Sequence, residues 1–124
     1  MRSSLFLARV LNRCGLDAAF QSGRPVDQAP HGLTTDFGVL TASGWVSHAW
    51  VKAGDFLIDI TADQFGHAPV ILTSIGNPAY RSGDRAECRL IPTASGIAAV
   101  DDIWILWCEN FERERLLMRP IRCM

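Results

Sequence analysis

GWVSHAWVKAGDFLIDITADQFG, residues 44–66, joins two apolar runs through Lys52-Ala53-Gly54-Asp55. Both runs are rich in β-branched and aromatic residues, and a glycine turn between such runs marks a β-hairpin. With Ala53 and Gly54 as the turn, Lys52 pairs with Asp55, Val51 with Phe56, Trp50 with Leu57 and His48 with Asp59. A four-residue loop from Lys52 to Asp55 keeps that register, whereas a three-residue turn sets His48 opposite Ile60. Opposed residues share a face, with Cβ atoms about 4.5–5.5 Å apart, which brings an imidazole and a carboxylate within hydrogen-bonding reach. Alternation then puts His48, Trp50, Leu57 and Asp59 on one face. Ala49, Val51, Phe56, Ile58 and Ile60 occupy the other, which is wholly apolar and reads as the core face. On this reading neither His48 nor Asp59 faces the core.

A carboxylate beside an imidazole fixes its tautomer and raises its basicity, the orienting role in an acyl-transfer triad. The same pair also serves as a structural feature of a strand pair. A nucleophile beside His48 is what separates the two readings.

The rest of the chain sets the context. Its 124 residues suit one domain, residues 1–124. Its 48% hydrophobic and 20% charged residues are those of a globular protein. A net charge of −1 gives no field that favours nucleic acid or an anionic membrane as partner. The four cysteines, Cys14, Cys88, Cys108 and Cys123, lie far apart without zinc-ligand spacing, and the expectation is a reduced, cytoplasmic setting. Arg9 and Arg13 interrupt the opening apolar run, so it does not read as a signal peptide, and no run has the length of a membrane span.

SSLFLARVLNR, residues 3–13, reads as a helix with Ser3 or Ser4 at its start, and Arg2, Arg9 and Arg13 form a narrow polar stripe on a buried rod. DAAFQSG is a short strand, and residues 22–35 form a loop rich in breakers. DFGVLTAS, GWVSHAWVK and DFLIDI read as a three-stranded antiparallel meander, with one further strand at AECRLI. VDDIWILWCENFERERLLM carries acids at its start and bases at its end, the order a helix dipole prefers, although IWILW alone is equally compatible with a strand. The expected fold is α+β: an N-terminal helix packed on a small antiparallel sheet.

The string HAWVKAGDFLIDITADQF resembles the histidine–aspartate hairpin of the transglutaminase-like branch of the papain-like thiol enzymes. The pattern there is H-x-W, a turn, then an apolar strand ending D-x-T. His48, Trp50, Asp59 and Thr61 match it, and Gln64-Phe65 follow as in many small bacterial members. GLDAAFQSG, residues 15–23, is similar to the family's G-I-P-A-R-x-V-x-G segment. The resemblance covers roughly residues 5–66 and leaves the C-terminal half unmatched. It implies thiolate attack on a peptide or protein amide, an acyl-enzyme, His48 as general base and then acid, and Asp59 orienting it. No cofactor is implied. Gln64 and Trp50 are the candidates for contact with substrate or oxyanion, the other reading of Gln64 being a cap on its own turn. A member of this family without its nucleophile would bind a peptide or protein partner without turning it over.

In that family the nucleophilic cysteine opens the central helix, where the dipole and free N–H groups lower its pKa. Counting back one helix length from Gly15 lands at Met1, Arg2, Ser3 and Ser4, or just before them. Three alternatives stand: a cysteine upstream of Met1, replacement by Ser3 or Ser4, or Cys14 acting in a different topology. Cys14 falls at the end of the first helix, where the dipole raises a thiol pKa. His31 and His67 lack metal-ligand spacing and read as solvated loop residues. Trp104 and Trp107 read as core, and Arg113, Arg115, Arg119 and Arg122 as a solvated face.

Overall fold

A computed structural model describes residues 1–29 and 31–117. In chain order the elements are α1 (Arg2–Arg13), β1 (Ala18–Gly23), β2 (Gly38–Thr41), β3 (Gly44–Val46), β4 (His48–Ala53), β5 (Phe56–Asp59), β6 (Ile71–Ser74), β7 (Tyr80–Arg81) and α2 (Ala94–Leu117). Short 3₁₀ turns occupy Ala62–Phe65 and Ala86–Cys88. The strands form two antiparallel sheets, ordered β1-β4-β5-β6 and β3-β2-β7. The fold is α+β, a helix on a small sheet, as the sequence implies.

α1 presents Ser4, Leu7, Ala8 and Leu11 to the first sheet at helical spacing. Ala8, Ala18 and Val51 form the buried centre of that contact, with Leu7, Leu11, Ala53 and Ile58 around it. Polar contacts at both ends fix the helix direction. Ser4 Oγ donates to the Ala49 carbonyl at 3.3 Å, and the Asn12 amide closes both backbone bonds of Ala18 at 2.9 Å. The arginine stripe does not simply face solvent: Arg9 pairs with Asp101, and Arg13 with Glu112 at 2.8 Å, across to α2.

The structure corrects several expectations. The meander is divided: GWVSHAWVK breaks at Ser47, β3 pairs with β2 in one sheet, and β4 lies between β1 and β5 in the other. The break lets the second sheet fold over the face of β4 that carries His48. Two glycines make that approach possible. A Cβ on Gly23 would run into the Gly38 amide and the Arg81 carbonyl, and one on Gly38 into the Val46 carbonyl.

The hairpin turn also lies one residue further on, at Gly54-Asp55, so that Ala53 pairs with Phe56, Lys52 with Leu57 and Val51 with Ile58. Gly54 takes a φ of +59°. Glycine enters that region without steric cost at the first position of a two-residue turn. A shift of two in the pair sum keeps every side chain on its expected face. It makes His48 and Asp59 diagonal neighbours, no longer directly opposed.

Finally, the sheet is covered on both faces. Val51 and Ala49 are buried beneath α1, and His48, Trp50, Leu57 and Asp59 are equally buried on the other side. Phe56, read as a core residue, is 55% exposed at the hairpin end.

AECRLI forms no strand. Cys88 closes a 3₁₀ turn, its N–H donating to the Arg85 carbonyl and its own carbonyl accepting from Arg24 N–H at 2.7 Å. α2 begins at Ala94, where Thr93 Oγ1 accepts the Gly96 N–H at 3.0 Å, so Asp101 and Asp102 lie beyond its first turn. Trp104 and Trp107 are half-buried, stacked on one another and edge-on to Phe6. Arg113 is exposed, the Arg115 side chain is not described, and Arg119 and Arg122 lie outside the described residues.

Candidate functional site

β4 opens with His48 directly after the Ser47 break, and β5 ends with Asp59. Continuing the hairpin register one pair beyond Val51↔Ile58 sets Asp59 opposite Trp50, with His48 two residues further along β4 on the same face. Diagonal neighbours on a face remain within reach of long side chains. His48 Nε2 and Asp59 Oδ2 are 2.8 Å apart, both side chains all but closed to solvent.

The Asp59 carboxylate is a hub. Oδ2 also accepts the Tyr80 hydroxyl at 2.7 Å, and Oδ1 accepts the Thr61 N–H at 3.1 Å and, more weakly, the Thr61 hydroxyl at 3.4 Å. These donors fill the lone-pair positions of both oxygens. Burial by itself would raise this carboxyl's pKa. The hydrogen bonds from His48, Tyr80 and Thr61, with the field of His48, outweigh it and hold Asp59 below the ordinary carboxylate value. Tyr80 moves the other way: burial, the bond to Asp59 and the negative charge there all raise its pKa, so the phenol remains a donor.

An ionised Asp59 fixes the state of its partner. Neutral His48 must place its proton on Nε2 to donate to Oδ2, which leaves Nδ1 as the basic atom. Nδ1 makes no hydrogen bond with another described residue, and it is not among the buried atoms sealed from solvent without a partner. The ring is held by the edge contact of Phe65 at 4.9 Å and by Trp50 at 6.3 Å.

The two ends of α1 lie at opposite ends of β4. Ser4 touches Ala49, next to His48, so the N-terminus of α1 lies at the His48 end of β4. Cys14 caps the opposite end, beside β1 residues that pair with Ala53. It stands about 15 Å further along the helix axis at about 1.5 Å per residue. Cys14 is therefore removed from the dyad. Ser3 is exposed in the first turn, and Ser4 is 1% exposed with its hydroxyl bonded to Ala49.

Trp50 is 1% exposed and donates its indole N–H to Gln21 Oε1 at 3.2 Å, so it supports the site from within and presents no ring to a ligand. Gln64 is exposed and donates to the Thr61 carbonyl at 2.9 Å, capping its own turn. His31 and His67 are exposed in loops, and no group of His, Cys, Asp and Glu among the described residues has metal-binding geometry. No described helix is long and apolar enough to cross a membrane.

Sequence reasoning missed Tyr80. It is the only tyrosine of the chain, in the turn-rich stretch NPAYRSG. Its one sequence signal is a lone aromatic among breakers, and that says nothing about which face it will cover. The chain matches no family model, no curated protein and no solved structure in the comparisons made.

Proposed function

We propose that this chain carries the acid–base half of an acyl-transfer site, in the arrangement of the transglutaminase-like branch of the papain-like thiol enzymes. The observation that carries this reading is the buried His48–Asp59 bond of 2.8 Å, formed at the end of β4 where Ser4 of the first turn of α1 bonds the neighbouring Ala49 carbonyl from the other face of the sheet. A nucleophile in the first turn of that helix, or just before it, has the positive end of the dipole and unpaired N–H groups around it. His48 Nδ1 takes its proton, the nucleophile attacks an amide carbonyl, and the tetrahedral intermediate collapses as His48 returns the proton to the leaving amine. Water or a second amine then releases the acyl group. The substrate class is a peptide or protein amide, and the chemistry is hydrolysis, deamidation or transfer.

A second reading follows from one specific observation. The first turn of α1 carries Ser3 and Ser4 and no thiol, and the Ser4 hydroxyl is committed to Ala49. A chain so built binds a peptide or protein partner through the same fold without turning it over.

A cysteine scan separates the two. Arg2→Cys, Ser3→Cys and Ser4→Cys are each labelled with iodoacetamide at about pH 6 and pH 8, the native cysteines serving as internal references. An ordinary thiol, with a reference pKa of about 8.5, reacts slowly at the lower pH. The acyl-transfer reading expects one introduced thiol to label fast at the lower pH and to slow when His48→Ala is added. If all three behave as ordinary thiols, the dyad activates nothing at this helix end and the binding reading replaces it.

A further inference from the structure

β1 is an edge strand, and an edge strand turns the N–H and C=O of alternate residues outward. In β1 these are Ala18, Phe20 and Ser22. The Asn12 amide covers Ala18 completely, donating to its carbonyl and accepting its N–H at 2.9 Å each. Residues 83–90 strap the other end: Gly83 N–H donates to the Ser22 carbonyl at 2.9 Å, and the Ser22 hydroxyl bonds both backbone groups of Leu90. Between these two closures, Phe20 has no outward backbone partner among the described residues.

At this gap the surface opens into a cleft of about 330 Å³, with Phe20 and Gln21 on one side and Arg89, Leu90, Ile91 and Pro92 on the other. Ile91 is 67% exposed, and Arg89 is exposed with one guanidinium nitrogen on the Asp84 carbonyl. Gln21 connects the cleft to the dyad, since its Oε1 holds the indole of Trp50, which lies against His48.

We propose that this cleft takes an extended peptide carrying an acidic side chain, its backbone bridging to Phe20 and its carboxylate lying beside Arg89. A donor and acceptor on one residue are what an adjacent extended backbone matches, as in strand addition to an open sheet edge. The apolar side chains of Leu90, Ile91 and Pro92 cover the peptide's neighbouring residue, and the gap admits a single bridge because Asn12 and the strap close the edge on either side. That this peptide is the substrate of the dyad rests on the acyl-transfer reading; that the cleft binds it does not.

The test titrates the full chain with the blocked pentapeptide acetyl-Ala-Val-Glu-Val-Ala-amide, followed by amide NMR and hydrogen exchange. The Lys-for-Glu peptide is the control. The Phe20 amide is expected to exchange more slowly in the complex, with shift changes centred on Phe20, Gln21, Arg89 and Ile91. The Glu peptide is expected to bind about 2–5-fold tighter than the Lys peptide, the value of an exposed ion pair, and Arg89→Glu to reverse that order. Phe20→Pro, placed where the N–H points out of the sheet, removes the bridge. The protected Phe20 amide carries the test should that variant fold poorly. An unprotected Phe20 amide, or an affinity indifferent to Arg89 and peptide charge, overturns the proposal. A peptide that binds while the cysteine scan fails thus rejects the chemistry alone, and the converse rejects the cleft alone.

Discussion

Replacing Asp59 by alanine tests the reading of the site most directly, because a solvent-facing and a buried carboxylate carry opposite costs. On a solvent face the substitution would be nearly neutral. In the folded protein Asp59 is fully buried and accepts from His48, Tyr80 and Thr61. Removing the carboxylate leaves three donors without their acceptor, and a buried unsatisfied group costs about 1–3 kcal/mol. His48 escapes part of this by moving its proton to Nδ1, and the half-buried Thr61 amide is partly recovered by water. The Tyr80 hydroxyl bears the rest, so the expected loss is about 3 kcal/mol. That is a large share of the about 5–15 kcal/mol that stabilises a domain, and it lowers the melting temperature by about 10 °C. Asp59→Asn keeps an oxygen for Thr61, and His48 and Tyr80 can both turn to accept from the new amide, so its expected cost is about 1 kcal/mol. Urea unfolding of both variants gives the two numbers. A loss below about 0.5 kcal/mol for Asp59→Ala, the range of ordinary surface substitutions, would refute the buried hub.

The same carboxylate gives a pH dependence with a definite sign. Its pKa in the folded chain lies below the unfolded value of about 3.9, so its contribution is complete above that pH and disappears as the pH falls through the folded value. Acid unfolding of the wild type should therefore steepen below about pH 4, and Asp59→Asn should lack that component. Tyr80→Phe removes one donor from Oδ2, and a stability cost of about 1 kcal/mol by urea unfolding is expected. Because the Tyr80 pKa is raised on folding, wild-type stability should also decline as the pH rises above about 10, and the phenylalanine variant should not share that decline. Gly23→Ala forces a methyl into the Gly38 amide and the Arg81 carbonyl. A loss above about 2 kcal/mol by urea unfolding is expected from that clash. Perturbed His48 resonances should accompany it, because Gly23 pairs with His48.

Local physics makes much of the fold legible. The 3.6-residue spacing of Leu7, Ala8 and Leu11 places α1, and the period-2 alternation of residues 48–60 sorts the hairpin faces correctly even with the turn misplaced by one residue. That tolerance has a simple cause: a shift of two in the pair sum preserves parity, and parity alone decides which side chains share a face. For the same reason the contact between His48 and Asp59 is readable from the sequence.

The covering of that face is not. The second sheet reaches it through a break at Ser47 and a contact between Gly23 and Gly38, and Tyr80 arrives from a two-residue strand that pairs with β2. These are long-range packing choices with no periodic trace in the chain. Which side chains share a face of the hairpin is encoded in the chain alone, because strand alternation fixes it locally. The burial of the dyad, the completion of the hub by Tyr80, and the placing of the α1 N-terminus rather than Cys14 at the His48 end of β4 belong to the assembled fold. Each depends on how separate elements stack, and stacking is settled by the whole set of contacts at once.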